Sequence, residues 1–586
     1  MQTLTLSRLN WPRGLVVTLT AIAIFLPLTL IFYQSFLSAP FFMPSKLFSL
    51  DSYRFIFDDS DFRQAFINGT ILAVGLAMIA VPLGAMLAFL MIRTDLPGRS
   101  WVAPLLLVPI FVSPMVMAFG YVVSMGPVGF YTLWVKQLIG VQPWNIYSFT
   151  SIVIIAGLTH VPHVYLYASS ALKSLGSDVE EAARVAGASP LQVALNVSLP
   201  MIMPALAYAA VLVLFLGFEV FGLVLVLGDP EGHLVLSTYL YKLTNKLGTP
   251  SYHLMAAVAV CLVAVTLPLV LFQRWLLKSA NKYVSIKGKG ARQKPLPLGK
   301  WKWISFAFIA AWLLFTIVMP LSGIALRSFV SNWGEGVTLA DALTVQHFLD
   351  IWDQPSLLRG ILNTVLIGVI GGAIAVACYS AIALAAHRKP DGITRFLDYS
   401  VLIPRAIPGL LAGLTFLWVF LFVPAALENV LKGFDNGIAQ WLVENLIPQL
   451  RALRSTIFSV WIAYSVVWLA YGLRLISTAL LQVGPELEEA ARAVGATRGQ
   501  VTRDVTLPLV RYGLLGAWLM IFLIFEREYS TGVYLLSPGT EVIGAMLVSM
   551  WAAGATDLVA ALSFINITLV AIGLGIALRF GVKLHD

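Results

Sequence analysis

Charged residues and cysteines are both scarce in this sequence. Only 11% of its 586 residues are charged, whereas 59% are hydrophobic and the mean hydropathy is +0.86. So few charges cannot form a water-soluble surface, which excludes a soluble multidomain protein. The two cysteines, Cys261 and Cys378, lie far apart in apolar segments. We therefore expect neither a disulfide framework nor a zinc site.

The sequence has instead a series of long apolar segments. Each is long enough to cross a hydrocarbon core of roughly 30 Å as a helix. Six precede the middle of the chain, at residues 14–36, 67–92, 101–123, 152–171, 202–227 and 254–277. Six more follow, at residues 303–326, 365–386, 401–423, 457–480, 509–525 and 558–578. The pattern predicts an all-α integral membrane protein with about twelve transmembrane helices.

The net charge of +9 reflects the placement of basic residues in short loops. Residues 278–302 carry eight lysines and arginines and no acidic residue. Basic loops stay on the cytoplasmic side of a membrane, so we expect this linker in the cytoplasm. With six spans on each side of it, both termini are expected there as well. The positive charge is then explained without a nucleic-acid partner.

The two sides of this linker are related by an internal repeat. Residues 180–200, EEAARVAGASPLQVALNVSLP, align without a gap with residues 488–508, EEAARAVGATRGQVTRDVTLP, at a spacing of 308. Weaker matches pair Asn68 with Asn363 and Glu219 with Glu526. The repeat predicts two halves, 1–277 and 303–586, joined by the linker 278–302. Six spans in each half give the halves one orientation, as in parallel repeats related by an axis along the membrane normal.

Both strong repeat segments fall in the loop between the fourth and fifth spans of their half, which the topology places in the cytoplasm. A glutamate and two alanines in each copy are expected to form a short helix with a charged, closely approachable face. Gly187 and Gly495 are expected to end these helices. In the first copy, Ser189 and Pro190 have the residue types of an N-cap and a first helical position. The sequence predicts a helix-turn-helix elbow.

These segments resemble the permease signature of binding-protein-dependent ABC importers, which reads Glu-Ala-Ala, three residues, Gly, nine residues, an aliphatic residue, any residue, Leu-Pro. The first copy matches at Glu181, Ala182, Ala183, Gly187, Val197, Leu199 and Pro200. The second copy matches at Glu489, Ala490, Ala491, Gly495, Val505, Leu507 and Pro508. The resemblance implies the type I permease fold in an inner membrane. It also implies that two cytoplasmic ABC ATPases bind the elbows and that a periplasmic binding protein delivers the substrate.

The sequence contains no Gly-x-x-x-x-Gly-Lys-Ser/Thr loop that could hold the phosphates of ATP. We therefore expect the chain not to be an enzyme and to bind no cofactor itself, with ATP and Mg²⁺ used by the partner subunits. His160 and His163 lack a third ligand and are expected to have a packing or hydrogen-bonding role. No stable metal site is expected.

Charged residues within apolar spans are costly and often functional. The candidates for the substrate path or the external mouth are Glu219, Arg405, Glu526, Arg527 and Glu528. Glu219 follows Pro200 by 19 residues and Glu526 follows Pro508 by 18. At ~1.5 Å per residue this places both carboxylates about 27 Å from the cytoplasmic end. They either meet substrate or binding protein there, or they reach water or pair with Arg527.

Residues 525–540 and 282–290 resemble segments of fused ferric-iron permeases. Carboxylates also suit a hard cation, so ferric iron is the favoured substrate. Permeases for thiamine, polyamines, sulfate and phosphonates share the same scaffold and stay open as alternatives. A more distant alternative is a secondary transporter of the major facilitator type, which also has two parallel six-span halves.

Overall fold

The computed structural model describes residues 11–579 except 42, 44–45, 175–177, 246–250, 281–294, 388–390, 402, 405–406 and 435. Among these residues the regular structure is helical, without a β-strand longer than an isolated bridge. The all-α fold predicted from the sequence is confirmed. The predicted basic linker lies largely outside the described residues, which resume at Pro295.

The described residues up to Ala280 form fourteen α-helices. They are α1 (Trp11–Ser35), α2 (Asp51–Asp58), α3 (Ser60–Arg93), α4 (Arg99–Leu105), α5 (Val108–Phe111), α6 (Pro114–Met125), α7 (Phe130–Ile139), α8 (Phe149–Ser174), α9 (Asp178–Val185), α10 (Pro190–Val193), α11 (Leu199–Glu219), α12 (Gly222–Leu227), α13 (Leu236–Asn245) and α14 (Tyr252–Ala280). A π-helical turn, Ala194–Ser198, joins α10 to α11.

The described residues from Pro295 onwards form sixteen more. They are α15 (Trp301–Leu313), α16 (Met319–Ser328), α17 (Gln346–Trp352), α18 (Pro355–Leu366), α19 (Gly372–Ala386), α20 (Gly392–Ser400), α21 (Gly409–Leu431), α22 (Gly437–Trp441), α23 (Ile447–Leu453), α24 (Ile457–Val467), α25 (Leu469–Leu481), α26 (Pro485–Ala493), α27 (Arg498–Gln500), α28 (Leu507–Arg527), α29 (Ile543–Ala552) and α30 (Thr556–Arg579). π-Helical turns join α15 to α16, α18 to α19, α22 to α23 and α27 to α28.

Eleven helical segments of the described chain are long and apolar enough to cross a membrane. The pair α24 and α25, bent by 63°, adds a twelfth if it is one span. The prediction of about twelve spans is therefore confirmed. The third predicted span, 101–123, has wrong bounds: the helix breaks before Pro109 and Pro114, and the long apolar segment is Pro114–Ile139. Proline lacks the N–H that would continue a helix, and its ring clashes with the preceding turn.

Contacts group the chain into two compact units. Unit 1 comprises residues 1–48, 354–546 and 568–582, and unit 2 comprises residues 49–353, 547–567 and 583–586. The first span of each sequence half therefore packs with helices of the other half: α1 contacts α19, α20 and α21, and α16 contacts α6. The division into halves 1–277 and 303–586 remains a prediction from the repeat, because it describes sequence similarity and not packing.

Close helix packing holds unit 2 together around α3 and α8. A Cβ atom on Gly84 would lie 2.6 Å from the Cβ of Val164, and one on Gly157 would lie 2.6 Å from the Cβ of Ile79. Small residues allow the backbones of membrane helices to approach closely, which increases their van der Waals contact. The α3–α8 pair thereby sets the position of the segment that follows α8.

Candidate functional site

The first elbow, residues 178–198, has the turn that the sequence predicts. Helix α9 ends before Gly187, whose φ of +90° is a left-handed conformation that favours glycine. Ser189 then caps α10: its Oγ accepts a bond from the N–H of Gln192, while the Gln192 side chain accepts one from the N–H of Ser189. Pro190 occupies the first helical position. The predicted helix end and N-cap are confirmed.

The second elbow, residues 485–506, repeats this backbone in unit 1. Gly495 has a φ of +89°, and Thr497 forms the same reciprocal capping box with Gln500. Each elbow then continues through a π-helical turn into a long apolar helix, α11 or α28. The two copies therefore agree in local structure as well as in sequence.

The signature residues form an exposed surface in each elbow. Glu181 and Glu489 are both exposed. The most exposed of the large apolar side chains there are two valines: Val185, the last residue of α9, at 90%, and Val494, directly after α26, at 86%. The first alanine of each pair is exposed and the second is half-buried; these residues are Ala182, Ala183, Ala490 and Ala491. The leucines at the start of α11 and α28 are half-buried and the prolines after them exposed; these are Leu199, Pro200, Leu507 and Pro508.

The glutamate before each signature glutamate is buried, and sequence reasoning missed it. Glu180 is 5% exposed and Glu488 is 3% exposed. In each elbow the first residue pair of the repeat, Glu-Glu, thus divides into an inward and an outward carboxylate. The only sequence signal is that both glutamates are present in both copies, with a hydroxyl residue 18 positions later.

In the first elbow, Glu180 joins α9 to the end of α3. Its Oε1 accepts a 2.7 Å bond from the Oγ of Ser198 and lies 3.1 Å from the Nε of Arg93. Arg93 is itself buried and donates from Nη2 to the carbonyl oxygen of Leu172, at 2.9 Å. A buried charge is tolerated when it is paired and hydrogen-bonded. Glu180 therefore attaches the elbow to α3 and to the end of α8.

In the second elbow, Glu488 joins α26 to the end of α19. Its Oε1 accepts a 3.1 Å bond from the Oγ1 of Thr506 and lies 3.2 Å from the Nε2 of His387. Arg492, which is partly exposed, approaches the Oε2 of Glu488 at 3.5 Å. Among the described residues, His387 thus contacts Glu488 as Arg93 contacts Glu180.

The candidate residues for the substrate path are placed at the opposite ends of α11 and α28 from the elbows. Glu219 is the last residue of α11 and is half-buried. In unit 1, Glu526 is buried near the end of α28, and the guanidinium of Arg527 lies 5.7 Å from the centre of the Trp468 ring. Arg405 lies outside the described residues.

Glu528 organises the loop that follows α28. Its Oε1 accepts bonds from the N–H and hydroxyl groups of Ser530 and Thr531, between 2.9 and 3.1 Å. Its Oε2 accepts a 2.9 Å bond from the indole N–H of Trp468. With five donors on one carboxylate, Glu528 has a structural role in this conformation. Any contact of Glu528 with substrate would require this loop to rearrange.

The histidine pair of α8 has a local arrangement. The Nδ1 of His160 lies 2.7 Å from the carbonyl oxygen of Ala156, and the rings of His160 and His163 stack with centroids 5.4 Å apart. Across the part of the chain that the structure describes, no group of three or more His, Cys, Asp or Glu side chains could hold a metal ion.

Eleven or twelve apolar helices among the described residues, with an equivalent elbow in each of the two units, are the features of a multi-pass membrane transport permease. The chain belongs to the family described as binding-protein-dependent transport system inner membrane component, which it matches over residues 80–282 and 373–586. The type I ABC permease domain is therefore present twice. Both matches include an elbow. Both begin after the first span of their half, which is exchanged in the sense that it packs with helices of the other half.

Two relatives and one solved structure illustrate the similarity. The chain is 23% identical over 453 residues to the ferric transport system permease protein FbpB of Actinobacillus pleuropneumoniae, covering 76% of this chain and 60% of that protein. It is 24% identical over 579 residues to the probable ABC transporter permease protein y4fN of Sinorhizobium fredii, covering 96% and 95%. A bacterial alginate ABC transporter crystallised with its alginate-bound periplasmic protein matches 40% of this chain and 84% of its own, at 22% identity and a TM-score of 0.35.

Proposed function

We propose that this chain is the transmembrane subunit of an ATP-driven ABC importer and forms its translocation pathway. Two cytoplasmic ABC ATPase subunits bind the two elbows, and a periplasmic substrate-binding protein delivers the substrate to the opposite ends of the helices. ATP and Mg²⁺ are used by the ATPases. Closure of the ATPases moves the elbows and so alternates access to the pathway. The duplicated elbow is the observation that carries this proposal.

An elbow that transmits motion must be accessible to its partner and firmly attached to the transmembrane helices. The outward Glu181 and Glu489 supply the accessible charge, beside highly exposed valines. The inward Glu180 and Glu488 supply the attachment, because each accepts a bond from a hydroxyl at the end of its own elbow and contacts a basic residue at the end of the second span of its half. One glutamate of each adjacent pair is thus accessible to a partner and the other attaches the elbow to the transmembrane helices. This arrangement supports a role in coupling, which a merely solvated loop would not need.

The charge distribution supports a cytoplasmic position for the elbows. Leu296, at the end of the basic linker, pairs with Thr94 directly after Arg93, which contacts the first elbow. The linker and this elbow therefore lie at the same end of unit 2. Because loops rich in lysine and arginine remain in the cytoplasm, this end is assigned to the cytoplasm, together with both termini.

Ferric iron is the proposed substrate. The support comes from relatives whose names specify ferric transport, at about 23% identity, and from carboxylates placed away from the elbows. This chain spans 60% and 64% of the length of two such relatives. A pathway that releases its substrate needs no stable metal site. Thiamine, polyamines, sulfate and phosphonates remain the alternative substrates.

The docking proposal is tested by co-purifying the permease with its ATPase. The unaltered chain is compared with a Glu181→Lys, Glu489→Lys double variant for complex formation and for ATP-dependent uptake into proteoliposomes. We expect the variant to lose both, because it reverses the exposed charge on both docking surfaces. A matched control is Asp58→Lys, Asp353→Lys, which makes the same change at exposed positions next to the starts of α3 and α18. This control should still bind the ATPase.

Retention of ATPase binding by the elbow variant would contradict the docking proposal. Uptake that proceeds without any ATPase would instead support the secondary-transporter alternative. The substrate is tested separately, by loading the binding protein with radioactive ferric iron and measuring its ATP-dependent entry. If thiamine, spermidine, sulfate or a phosphonate reduces the ATP-dependent entry and unlabelled ferric iron does not, the competing compound becomes the proposed substrate in place of ferric iron.

A further inference from the structure

The segment that follows the second span of each half contacts both an elbow and an exchanged first span. We propose that it transmits elbow movement to that first span. In unit 2 the first relay consists of Arg93, Thr94 and Asp95. In unit 1 the second relay consists of Ala385, His387 and Asp391. The inference rests on the proposed function, because it supposes that an ATPase moves the elbows.

The first relay is attached to the elbow by a side chain and to the linker by its backbone. The side chain of Arg93 pairs with Glu180 of the elbow, and its carbonyl oxygen accepts a 2.7 Å bond from the N–H of Leu296. The N–H of Asp95 donates in turn to the carbonyl oxygen of Leu296, at 3.1 Å. One residue, Arg93, thus links the elbow directly to the segment that leads into α15.

Asp95 completes the connection to α15. Its Oδ1 accepts a 2.9 Å bond from the N–H of Leu298, and its Oδ2 lies 3.4 Å from the Nζ of Lys302, in the first turn of α15. The bond from Leu298 and the nearby lysine lower the pKa of Asp95 below its usual value. The carboxylate is therefore charged at neutral pH, and it fixes the start of the exchanged span to the end of α3.

The second relay makes the same two connections with different residues. His387 pairs with Glu488 of the second elbow. Arg13, near the start of α1, donates from Nε to the carbonyl oxygen of Ala385 at 2.8 Å, and from Nη1 and Nη2 to the two carboxylate oxygens of Asp391 at 2.5 and 2.8 Å. A bidentate arginine–carboxylate pair fixes orientation as well as distance. It also holds the pKa of Asp391 well below its usual range.

The relays explain why the exchange of first spans matters for transport. Each elbow belongs to the same sequence half as its relay, whereas the first span fixed by that relay comes from the other half. A displacement of either elbow is therefore applied to helices of both halves. Hydrogen-bonded ion pairs between rigid helices are the kind of physical connection that can carry coupling between separate sites.

A simpler explanation is that Asp95 and Asp391 only hold α1 and α15 in place during assembly. The two explanations differ in what they predict for an assembled transporter. A transmitting contact affects how much substrate enters for each ATP hydrolysed. A contact needed only for assembly affects the amount and thermal stability of the transporter and leaves that ratio unchanged.

The experiment uses the complete transporter in proteoliposomes with its binding protein and measures both ATP hydrolysis and substrate entry. In Asp391→Asn we expect the ATPase to remain bound and to hydrolyse ATP, while entry per ATP falls at least about fivefold, the lower range of coupling between sites. The charge-exchanged pair Arg13→Asp, Asp391→Arg should recover most of the ratio. The control Glu428→Gln removes another ion-paired carboxylate of unit 1, which contacts Lys432 and Arg451. It should leave the ratio unchanged.

An unchanged ratio in Asp391→Asn, or an equal loss in Glu428→Gln, would overturn the inference. If Asp391→Asn does not accumulate in the membrane, Asp95→Asn tests the same relation in unit 2, where the backbone bonds to Leu296 remain. Failure of both variants to accumulate would establish an assembly role and would also overturn the inference. Failure of the proposed function is recognised separately, because the unaltered chain would then show no ATP-dependent entry.

Discussion

The two elbows share a backbone and differ in their surfaces. The first exposes Leu191 and Leu195, at 68% and 53%. The equivalent positions of the second are Gly499 and Arg503, both exposed. The first elbow is therefore apolar at two positions where the second has a glycine and a charged residue. The comparison separates two kinds of information: the repeated residues determine how the turn is built, and the divergent residues determine what chemistry a partner meets.

The two anchors, which are the buried contacts of Glu180 and Glu488, also differ. Arg93 contacts Glu180, whereas His387 and Arg492 contact Glu488. The side chain of Arg93 is only 2% exposed, whereas that of Arg492, beside Glu488, is 49% exposed. The first anchor therefore depends more strongly on its carboxylate than the second, because a buried charge needs its partner.

Removal of the inward glutamates should affect the two units unequally. We expect Glu180→Ala to lower the free energy of unfolding by about 3 to 5 kcal/mol, because Arg93 is left buried without its partner. Glu488→Ala should cost less, because Arg492, which also approaches Glu488, has a side chain that is 49% exposed and stays solvated when the carboxylate is removed. Thermal unfolding of the purified permease in nanodiscs measures both. The exposed Glu181→Ala and Glu489→Ala serve as controls, and equal losses for the two inward variants would show that the anchors do not differ.

Replacement of the left-handed glycine should weaken the two elbows equally. Gly187→Ala and Gly495→Ala should each destabilise the turn of their elbow by about 1 to 2 kcal/mol, because an L-residue is strained in the left-handed region. A methyl group on either glycine would meet no atom within 4 Å, so the backbone alone sets the cost. ATPase affinity measures the effect. Gly499→Ala is the matched control, because its surroundings are equally open and its φ is not left-handed. A loss confined to one elbow would contradict the equivalence of their backbones.

ATPase binding should depend on salt more at the second elbow than at the first. Glu181→Lys leaves only the second elbow intact, and Glu489→Lys leaves only the first. We expect retention of the ATPase by the Glu181→Lys chain to fall more steeply as salt rises, because screening weakens exposed charges more than apolar contacts. Adding Leu195→Arg to the Glu489→Lys chain should introduce a similar salt dependence. Identical salt profiles would show that the divergent residues do not contact the ATPase.

Removal of the relay carboxylate Asp391 should have the smallest effect on stability, and this effect should disappear only in acid. Because the folded chain lowers the pKa of Asp391, the stabilisation is present above the ordinary carboxyl pKa of about 3.9 and is lost as the pH falls towards the folded value. The stability difference between the unaltered chain and Asp391→Asn should therefore be constant from about pH 5 to 8. It should not exceed about 1 kcal/mol, because the carboxylate is partly exposed. A stability difference that changes between about pH 5 and 8 would contradict this expectation.

Local features of the fold could be read directly from the sequence. Apolar length predicted the membrane spans, and the elbow turns followed from Gly187, Gly495 and the Ser189–Pro190 cap. Such features depend on interactions between residues a few positions apart, so a short segment contains most of the information. The third span was placed wrongly, because its long apolar segment begins at Pro114 and not at residue 101.

Long-range features required the tertiary structure. The sequence alone could not distinguish the inward Glu180 from the outward Glu181, because that difference depends on Arg93, 87 positions away in the chain. Nor could it place Glu528 among five donors. The sequence itself determined the number of spans, the repeat and the turn of each elbow, because hydropathy and backbone preference act locally. Only the tertiary structure decided the exchange of the first spans and the contacts of the relays, because these depend on packing between segments distant in sequence.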